Sequence, residues 1–254
     1  MLTYTAERAE ELKHNLIRVQ ERISRAEQDY SGSRNAQSHK VELTVVTKFF
    51  PVTDVLALYH AGVRSVGENR DQEAHEKAYA IEPMNDPQDS LRWSFIGQLQ
   101  RNKAKSVVRY AHEVHSVDRL SLVDALAKAK AQCAQDRAES RVAGSLSCFV
   151  QVNLSADSGD NSSRGGAVGD DVFRIAERLE QCEGLSCAGV MAVAPLGGDA
   201  ERSFETLYGI SQELQEHFPQ AWEISAGMSG DLEEAIRWGS TRVRIGSEIM
   251  GSRC

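Results

Sequence analysis

The chain is expected to fold as a single (β/α)8 barrel, an α/β TIM barrel, and three observations say so. Short β-branched runs give way repeatedly to longer stretches of helical period, the signature of βα units on a parallel sheet. Eight such pairs share 254 residues, about 32 residues each, close to the roughly 250 residues of a closed eightfold barrel. No linker or shift of composition divides them, so residues 1–254 read as one domain, with an N-terminal helix at about 5–29 and the barrel at about 41–251. An open doubly wound sheet is the competitor. Eight regular repeats favour closure.

The opening helix runs from about Thr5 to Asp29, with Leu12, Leu16, Val19 and Ile23 spaced three and four apart on one face. The polar stretch SGSRNAQSHK ends it. VELTVVTK, Val41 to Lys48, is the first strand, apolar enough to be covered on both faces. Pro51 follows, and Thr53 is expected to cap a helix over DVLALYHAG that stops at Gly62. The second strand is RSVGEN, ending at Asn69, with a charged helix through DQEAHEKAYA behind it. RWSFIG, ending at Gly97, is the third, and a helix from Gln100 through SVVRYA follows. The fourth, EVHSV, leads into DRLSLVDALAKAKAQCAQ, helical by propensity and period. SCFVQVN is the fifth, ending at Asn153, and a Gly/Ser/Asp-rich segment runs from Ser155 to Gly169 before the helix DDVFRIAERLEQ. LSCAGVMAV and the helix of ERSFETLYGISQELQEHF form the sixth unit. WEISAG with DLEEAIRWG forms the seventh, and TRVRIG is the eighth strand, trailed by SEIMGSRC.

Composition narrows the class of function. With 41 % hydrophobic and 26 % charged residues the chain is ordinary globular protein, far from the disordered corner. A net charge of −8 argues against a nucleic-acid surface, which rewards clustered Lys and Arg. The apolar runs fall short of the roughly 18 residues a membrane span needs. The N-terminus is acidic and helical in period, unlike a signal peptide. The five cysteines, Cys133, Cys148, Cys182, Cys187 and Cys254, are odd in number and form no C-x-x-C pair, so neither a disulfide framework nor a zinc site is expected. A reduced, soluble, cytoplasmic protein is the expectation.

In such a barrel the chemistry sits at the C-terminal ends of the strands. Those ends carry Lys48, Glu68 with Asn69, Gly97, Asn153, Gly227-Met228-Ser229 and Arg244-Ile245-Gly246-Ser247. A lysine after TVVT at an apolar mouth is desolvated, and burial of that kind lowers an amine pKa until it attacks a carbonyl. A strand-end lysine reaching solvent suits Lys48's position equally well. SAGMSGDLEEAI and RIGSEIMG place glycines and a serine directly before helical segments, where backbone N–H groups and the helix dipole favour an anion. The loops after strands seven and eight are also where barrel enzymes commonly hold phosphate. Against that, Ser229 serves equally as an N-cap for a helix beginning at Asp231. Arg244 faces the barrel interior and needs an acceptor, either a carboxylate such as Glu223 or a ligand atom. Phosphate weighs more than capping, because two such loops occur at the expected strands. A nucleophilic lysine plus a phosphate cradle describes a carbonyl cofactor carrying a phosphate, and pyridoxal 5′-phosphate (PLP) is the candidate.

Other candidates carry less. His112 and His115 lie three apart on a strand, so they point to opposite faces and do not share a metal. The acidic face of EAHEKA and the Lys/Arg of RNKAKSVVR read as solvated helix surfaces, and Arg164, in SSRGG, as a solvated loop residue or a mobile anion contact.

At these residues the sequence resembles the pyridoxal phosphate homeostasis family, also called the YggS/PROSC family of PLP-binding proteins. The matching stretches are TVVTKFFP, GVRSVGEN, WSFIGQLQRNK, HSVDRL, VQVNLS, GLSCAGVMAV, ISAGMSGDLEEAI and GSTRVRIGSEIMG, in family order from about Val41 to Gly251. The resemblance implies a barrel of the alanine racemase N-terminal type with PLP held as a Schiff base on Lys48. It implies further that Asn69 lines the cofactor pocket and that Met228 and Ser229, with the amides around Gly246 and Ser247, hold the phosphate. Arg244 would meet the pyridine nitrogen, where an arginine disfavours ring protonation and makes PLP a weaker electron sink. Three features depart from the family pattern: Arg70 stands where tyrosine is common, Ser94 where histidine is common, and the loop SADSGDNSSRGG is longer, with Arg164 roughly at the family's lysine.

The resemblance implies intracellular PLP homeostasis, with PLP-dependent apoenzymes as recipients, rather than robust catalysis. The rival is a PLP-dependent amino-acid racemase of low activity, which needs an acid/base group on each face of the cofactor. In alanine racemase the second group comes from a C-terminal β-domain of the dimer partner. Eight residues follow Gly246 here, so no such domain and an open second face are expected. A cofactor-free aldolase using Lys48 on a sugar phosphate is the remaining alternative. An acidic barrel without an obvious apolar patch is expected to be a monomer.

Overall fold

The computed structural model describes residues 2–30, 40–84, 86, 88–135, 142, 144–155 and 165–251. Eight parallel strands close into a barrel in the order β1 to β8, and β1 pairs with both β2 and β8. They are β1 Glu42–Val46, β2 Ser65–Glu68, β3 Arg92–Phe95, β4 Glu113–Val117, β5 Leu146–Gln151, β6 Leu185–Met191, β7 Glu223–Ser225 and β8 Arg242–Ile245. The helices between and around them are α1 Ala6–Tyr30, α2 Val52–His60, α3 Asp71–Ile81, α4 Ala104–Val107, α5 Leu120–Gln135, α6 Asp170–Glu180, α7 Ala200–His217, α8 Leu232–Arg237 and α9 Ser247–Met250. No helix among the described residues is long and apolar enough to cross a membrane.

The heptad-like face of α1 does what its period predicts. Leu12, Leu16, Val19, Ile23 and Ala26 are buried, and α1 lies across α2, α8 and α9. Its polar face ties the same neighbours. Arg8 bonds Asp54 of α2 at 2.7 Å and the Met250 carbonyl at 2.9 Å, and Asn15 donates to the Ile249 carbonyl at 3.1 Å.

Two sequence expectations change. Pro51, not Thr53, stands at the N-cap of α2, without a side-chain cap. A proline there is already set at the right φ and has no N–H to satisfy. The segment after Gly97 holds a 3-10 turn, Arg101–Lys103, and the single turn of α4 rather than a full helix.

The main core lies between sheet and helices. A smaller apolar cluster of Phe149, Ala188 and Met191 is separate from it. It belongs to the barrel lumen, together with a chain of polar side chains. β4 and β7 are not neighbours, so the contact of His115 Nδ1 with Ser225 Oγ at 3.0 Å crosses the lumen. The ion pair of Arg242 on β8 with Glu113 on β4, at 3.3 Å, crosses it too. Arg242 also pairs with Glu42 and Glu223, each at 2.9 Å, and Arg92 pairs with Glu113. These charges close the N-terminal end of the barrel and leave the C-terminal end for chemistry.

Candidate functional site

Because every strand is parallel, all eight C-terminal ends open on one rim. Lys48 follows β1 by two residues, Asn69 follows β2 directly, and Gly246 follows β8 directly. Since β8, β1 and β2 are neighbours, these three stand side by side. The register puts Arg244 beside Thr44. A Cβ on Gly246 would meet Val46 Cβ at 3.2 Å and its carbonyl oxygen at 3.3 Å, so the loop after β8 lies tight against β1. Met228 and Ser229 sit in the loop between β7 and α8, and Ser247 opens α9. The sequence-predicted residues therefore gather on one arc of the rim, from β7 through β8 to β2.

Lys48 occupies a strained turn. Phe50 N–H donates to the Thr47 carbonyl at 3.2 Å, and Phe49 has φ of 71°, which makes Thr47 to Phe50 a turn of type II character with Lys48 and Phe49 at its centre. Phe49 is the one non-glycine residue with positive φ among the described residues, a conformation costing roughly 1–2 kcal/mol outside glycine. Its ring lies under Arg70, whose Cζ is 5.0 Å from the centroid, and Lys48 Nζ is 6.0 Å away. Thr47 faces outward, where its hydroxyl donates to Glu68 Oε1 at 2.7 Å. Strand alternation, continued by one residue, directs Lys48 to the lumen side.

Behind that turn lies a group that the sequence pattern does not single out. Lys77 on α3 is only 5 % exposed. Its ammonium donates to the Thr47 carbonyl at 2.9 Å, Glu68 Oε1 at 2.8 Å and Glu73 Oε1 at 2.6 Å. Glu68 is 1 % exposed. Burial pushes its carboxyl pKa up, partly offset by the charge and hydrogen bond of Lys77. The i,i+4 spacing of Glu73 and Lys77 was the available signal. Nothing in it says which face of the helix is covered.

Arg244 is fully within the lumen. Its Nη1 donates to Ser225 Oγ at 2.7 Å and its Nη2 to the Ala192 carbonyl at 2.9 Å. Glu223, the carboxylate considered for it, pairs instead with Arg242. Arg242 and Arg244 share a strand face two residues apart, and only their depth separates them. Burial without a carboxylate in contact lowers the Arg244 pKa to about 10. A guanidinium has five N–H donors, and these two acceptors take two.

Past Ser225 the chain continues into His115 and Glu113. His115 Nε2 lies 3.0 Å from Glu113 Oε2, and Ser94 Oγ donates to the same oxygen at 2.7 Å. Burial outweighs the hydrogen bond that His115 donates to Glu113 and lowers the His115 pKa to about 4, so the ring is neutral. Burial opposes ionisation of Glu113, but the hydrogen bond donated by His115 and the charges of Arg242 and Arg92 hold its pKa well below the usual range. A neutral ring beside a carboxylate carries its proton on Nε2, leaving Nδ1 to accept from Ser225. His112, as its spacing predicts, lies apart from this lumen chain; its Nδ1 accepts the Trp93 N–H at 3.2 Å.

Ser229 does not cap α8. Asp231 occupies the N-cap, and its carboxylate accepts the Met228 N–H at 2.6 Å. The Ser229 carbonyl accepts from Arg22 of α1 at 3.2 Å, and Arg22 also bonds Glu233 at 2.7 Å and Glu248 at 2.6 Å. Asn69 Oδ1 is buried without a hydrogen-bond partner. A hollow of about 290 Å³ at the mouth is lined by Ile96, Gln98, Gln151, Met191 and Val193 among others. A larger one, about 550 Å³, lies beside it between Asn153, Pro195 and α7, away from Lys48. Arg164 and Cys254 lie outside the described residues.

This is the architecture of the alanine racemase N-terminal domain, whose family model matches residues 9–254. The chain is 38 % identical over 255 residues to the pyridoxal phosphate homeostasis protein of Mycobacterium tuberculosis (strain ATCC 25618 / H37Rv), covering 97 % of this chain and 95 % of the relative. It is 42 % identical over 219 residues to the protein of the same name in Corynebacterium glutamicum, covering 86 % and 93 %. The structure of PipY from Synechococcus elongatus PCC7942, solved with PLP bound, superposes with a TM-score of 0.74 at 26 % identity, covering 94 % of this chain and all of PipY, 100 %. The chain belongs to the pyridoxal phosphate homeostasis protein family.

Proposed function

We propose that this protein binds PLP at the barrel rim, with Lys48 as the residue that takes the cofactor's aldehyde, and serves PLP homeostasis by holding and handing on the cofactor. The observation that carries the reading is the placement of Lys48 between Gly246 and Asn69 on adjacent strands, above Arg244. The residues present fit the group. Lys48 offers an amine, Arg244 a lumen cation with donors to spare, and Asn69 a buried amide oxygen without a partner. Ser229, Gly246 and Ser247 offer backbone amides and hydroxyls for the phosphate, beside Met228, whose own N–H is held by Asp231. When bound, PLP supplies an electrophilic aldehyde that condenses with a primary amine, releasing one water.

What the chain itself does is hold and orient. The Ser225–His115–Glu113 chain fixes the Arg244 guanidinium from behind, so its plane does not swing with ligand arrival. An arginine, which stays charged, does not hand a proton to a ring nitrogen, and that favours carriage over carbanion chemistry. The four described cysteines are buried and unpaired, which suits the reducing cytoplasm where PLP-dependent apoenzymes would be the recipients.

The test is a visible absorption spectrum of the purified protein with added PLP, followed by borohydride reduction and peptide mapping. A band that reduction fixes on Lys48, and its loss in Lys48→Ala, is the expected result. No band, or label on another lysine, overturns the reading. A racemase assay on the loaded protein then separates carriage from catalysis.

A further inference from the structure

We propose that Lys77, Glu73 and Glu68 form a charged clamp on α3 and β2 that positions Lys48 for capture of an aldehyde ligand. The inference rests on the PLP reading above and adds to it a set of positioning residues outside the pocket.

The geometry is specific to the two peptide groups that flank Lys48. The carbonyl of the Thr47–Lys48 peptide accepts from Lys77 Nζ at 2.9 Å, and the N–H of the Lys48–Phe49 peptide donates to Glu73 Oε1 at 2.6 Å. That same Glu73 oxygen accepts from Lys77 at 2.6 Å. Glu68 Oε1 closes the ring, accepting from Lys77 at 2.8 Å and from the Thr47 hydroxyl at 2.7 Å. An ammonium has three N–H donors, and these three acceptors use them all.

Stability alone does not account for such a group. Buried ion pairs are often matched or bettered by apolar residues of similar volume, and this one leaves Glu68 Oε2 without a hydrogen-bond partner. Its effect is geometric. Phe49 adopts a φ of 71° that favours glycine, and the Phe49 N–H is the group that Glu73 holds. The clamp therefore enforces the turn that sets where the Lys48 side chain leaves the backbone. Misplacement of a reacting group by about 1 Å costs on the order of a hundredfold in rate.

The test compares wild type with Glu73→Ala, Glu73→Gln and the double variant Glu73→Ala/Phe49→Gly, all checked by thermal melting. PLP is added, and the rate of borohydride-fixable labelling at Lys48 is followed by peptide mapping. Affinity for pyridoxine 5′-phosphate, which lacks the aldehyde, is measured in parallel. Glu73→Ala is expected to slow labelling about ten- to hundredfold while leaving pyridoxine 5′-phosphate affinity within about twofold. Glu73→Gln, which keeps an acceptor for Phe49, should lose less. The double variant should regain most of the rate, because glycine takes the turn without help. Unchanged labelling in Glu73→Ala, no recovery in the double variant, or an equal loss of pyridoxine 5′-phosphate affinity each overturns the clamp. Failure of wild type to label at Lys48 overturns the PLP reading itself, and the clamp with it.

Discussion

Ser225 Oγ stands 2.7 Å from Arg244 Nη1 and 3.0 Å from His115 Nδ1, so one hydroxyl accepts from the arginine and donates to the histidine. The direction is fixed at both ends. Arginine only donates, and the histidine proton is committed to Glu113 on the other side of the ring. A relay of hydrogen bonds thus runs from Arg244, toward the C-terminal rim, to the ionic plug at the base of the lumen.

Replacing Ser225 by alanine removes both partners at once and leaves a guanidinium N–H and an imidazole nitrogen buried without bonds. Each such loss costs about 1–3 kcal/mol. The expected outcome is destabilisation of about 2–6 kcal/mol in urea unfolding, with PLP affinity falling as Arg244 loses its support. A loss under about 0.5 kcal/mol would mean that the relay is slack.

Acid should weaken the fold before the carboxylates titrate. Burial lowers both His112 and His115 to about 4, with the Arg92 charge adding to the effect at His112. A depressed histidine pKa means that the unfolded chain takes the proton first. Stability is therefore full above pH ~6.5 and is lost as pH falls toward 4. At pH 5 the loss is on the order of 2 kcal/mol per histidine. Glu113, whose pKa is also depressed, contributes in the same direction at lower pH. Urea midpoints at several pH values between 7.5 and 5 check this, and His112→Gln should flatten the slope by about half. An unchanged slope in that variant sinks the assignment.

How much of this was legible beforehand depended on the kind of residue. βα alternation alone places Lys48, Asn69, Ser229 and Gly246 at strand ends, and a parallel barrel puts all strand ends on one rim. The length of the strands was less visible. β1 stops at Val46, short of Lys48, because the Thr47–Phe50 turn intervenes. No glycine marks that turn, since Glu73 and Lys77 hold a phenylalanine where glycine is usual. Lys77 carries no signal of burial in the helical period, because its burial follows from contacts with Thr47 and Glu68 on distant segments. Arg244 and Arg242 had the right face but not the right depth, which alternation does not encode.

The N-terminal helix bears on the loops after β7 and β8, where the proposed phosphate site lies, through Arg22. This side chain bonds the Ser229 carbonyl, Glu233 and Glu248, drawing two carboxylates onto α1 and away from the loops where an anion would sit. Its hydrogen bond lowers the Glu233 pKa, against some desolvation. Arg22→Met should leave both carboxylates free to compete with a phosphate. PLP affinity is expected to drop about three- to tenfold while affinity for pyridoxal, which has no phosphate, holds, at a stability cost of about 1 kcal/mol. Parallel titrations with the two ligands decide it, because an equal loss for both would place the effect outside the phosphate loops.

Gly97 tests how tightly the rim is built. Its loop after β3 crosses the backbone of Asn69, and a Cβ there would lie 2.7 Å from Asn69 Cα and 2.8 Å from its carbonyl carbon, nearer still to the carbonyl oxygen. Backbone gives way less readily than a flexible side chain, so the added methyl has to be relieved by moving Asn69 or the whole β2–β3 corner. Such overpacking costs about 1–3 kcal/mol. Gly97→Ala should therefore lower the melting temperature and weaken PLP binding together, because the displaced residue is the one whose amide oxygen waits at the mouth without a partner. Comparison with Gly209→Ala, where a Cβ would meet nothing within 4 Å, isolates the steric effect. If the two substitutions behave alike in melting and in PLP titration, the corner is looser than its packing indicates and Asn69 is not held in place by it.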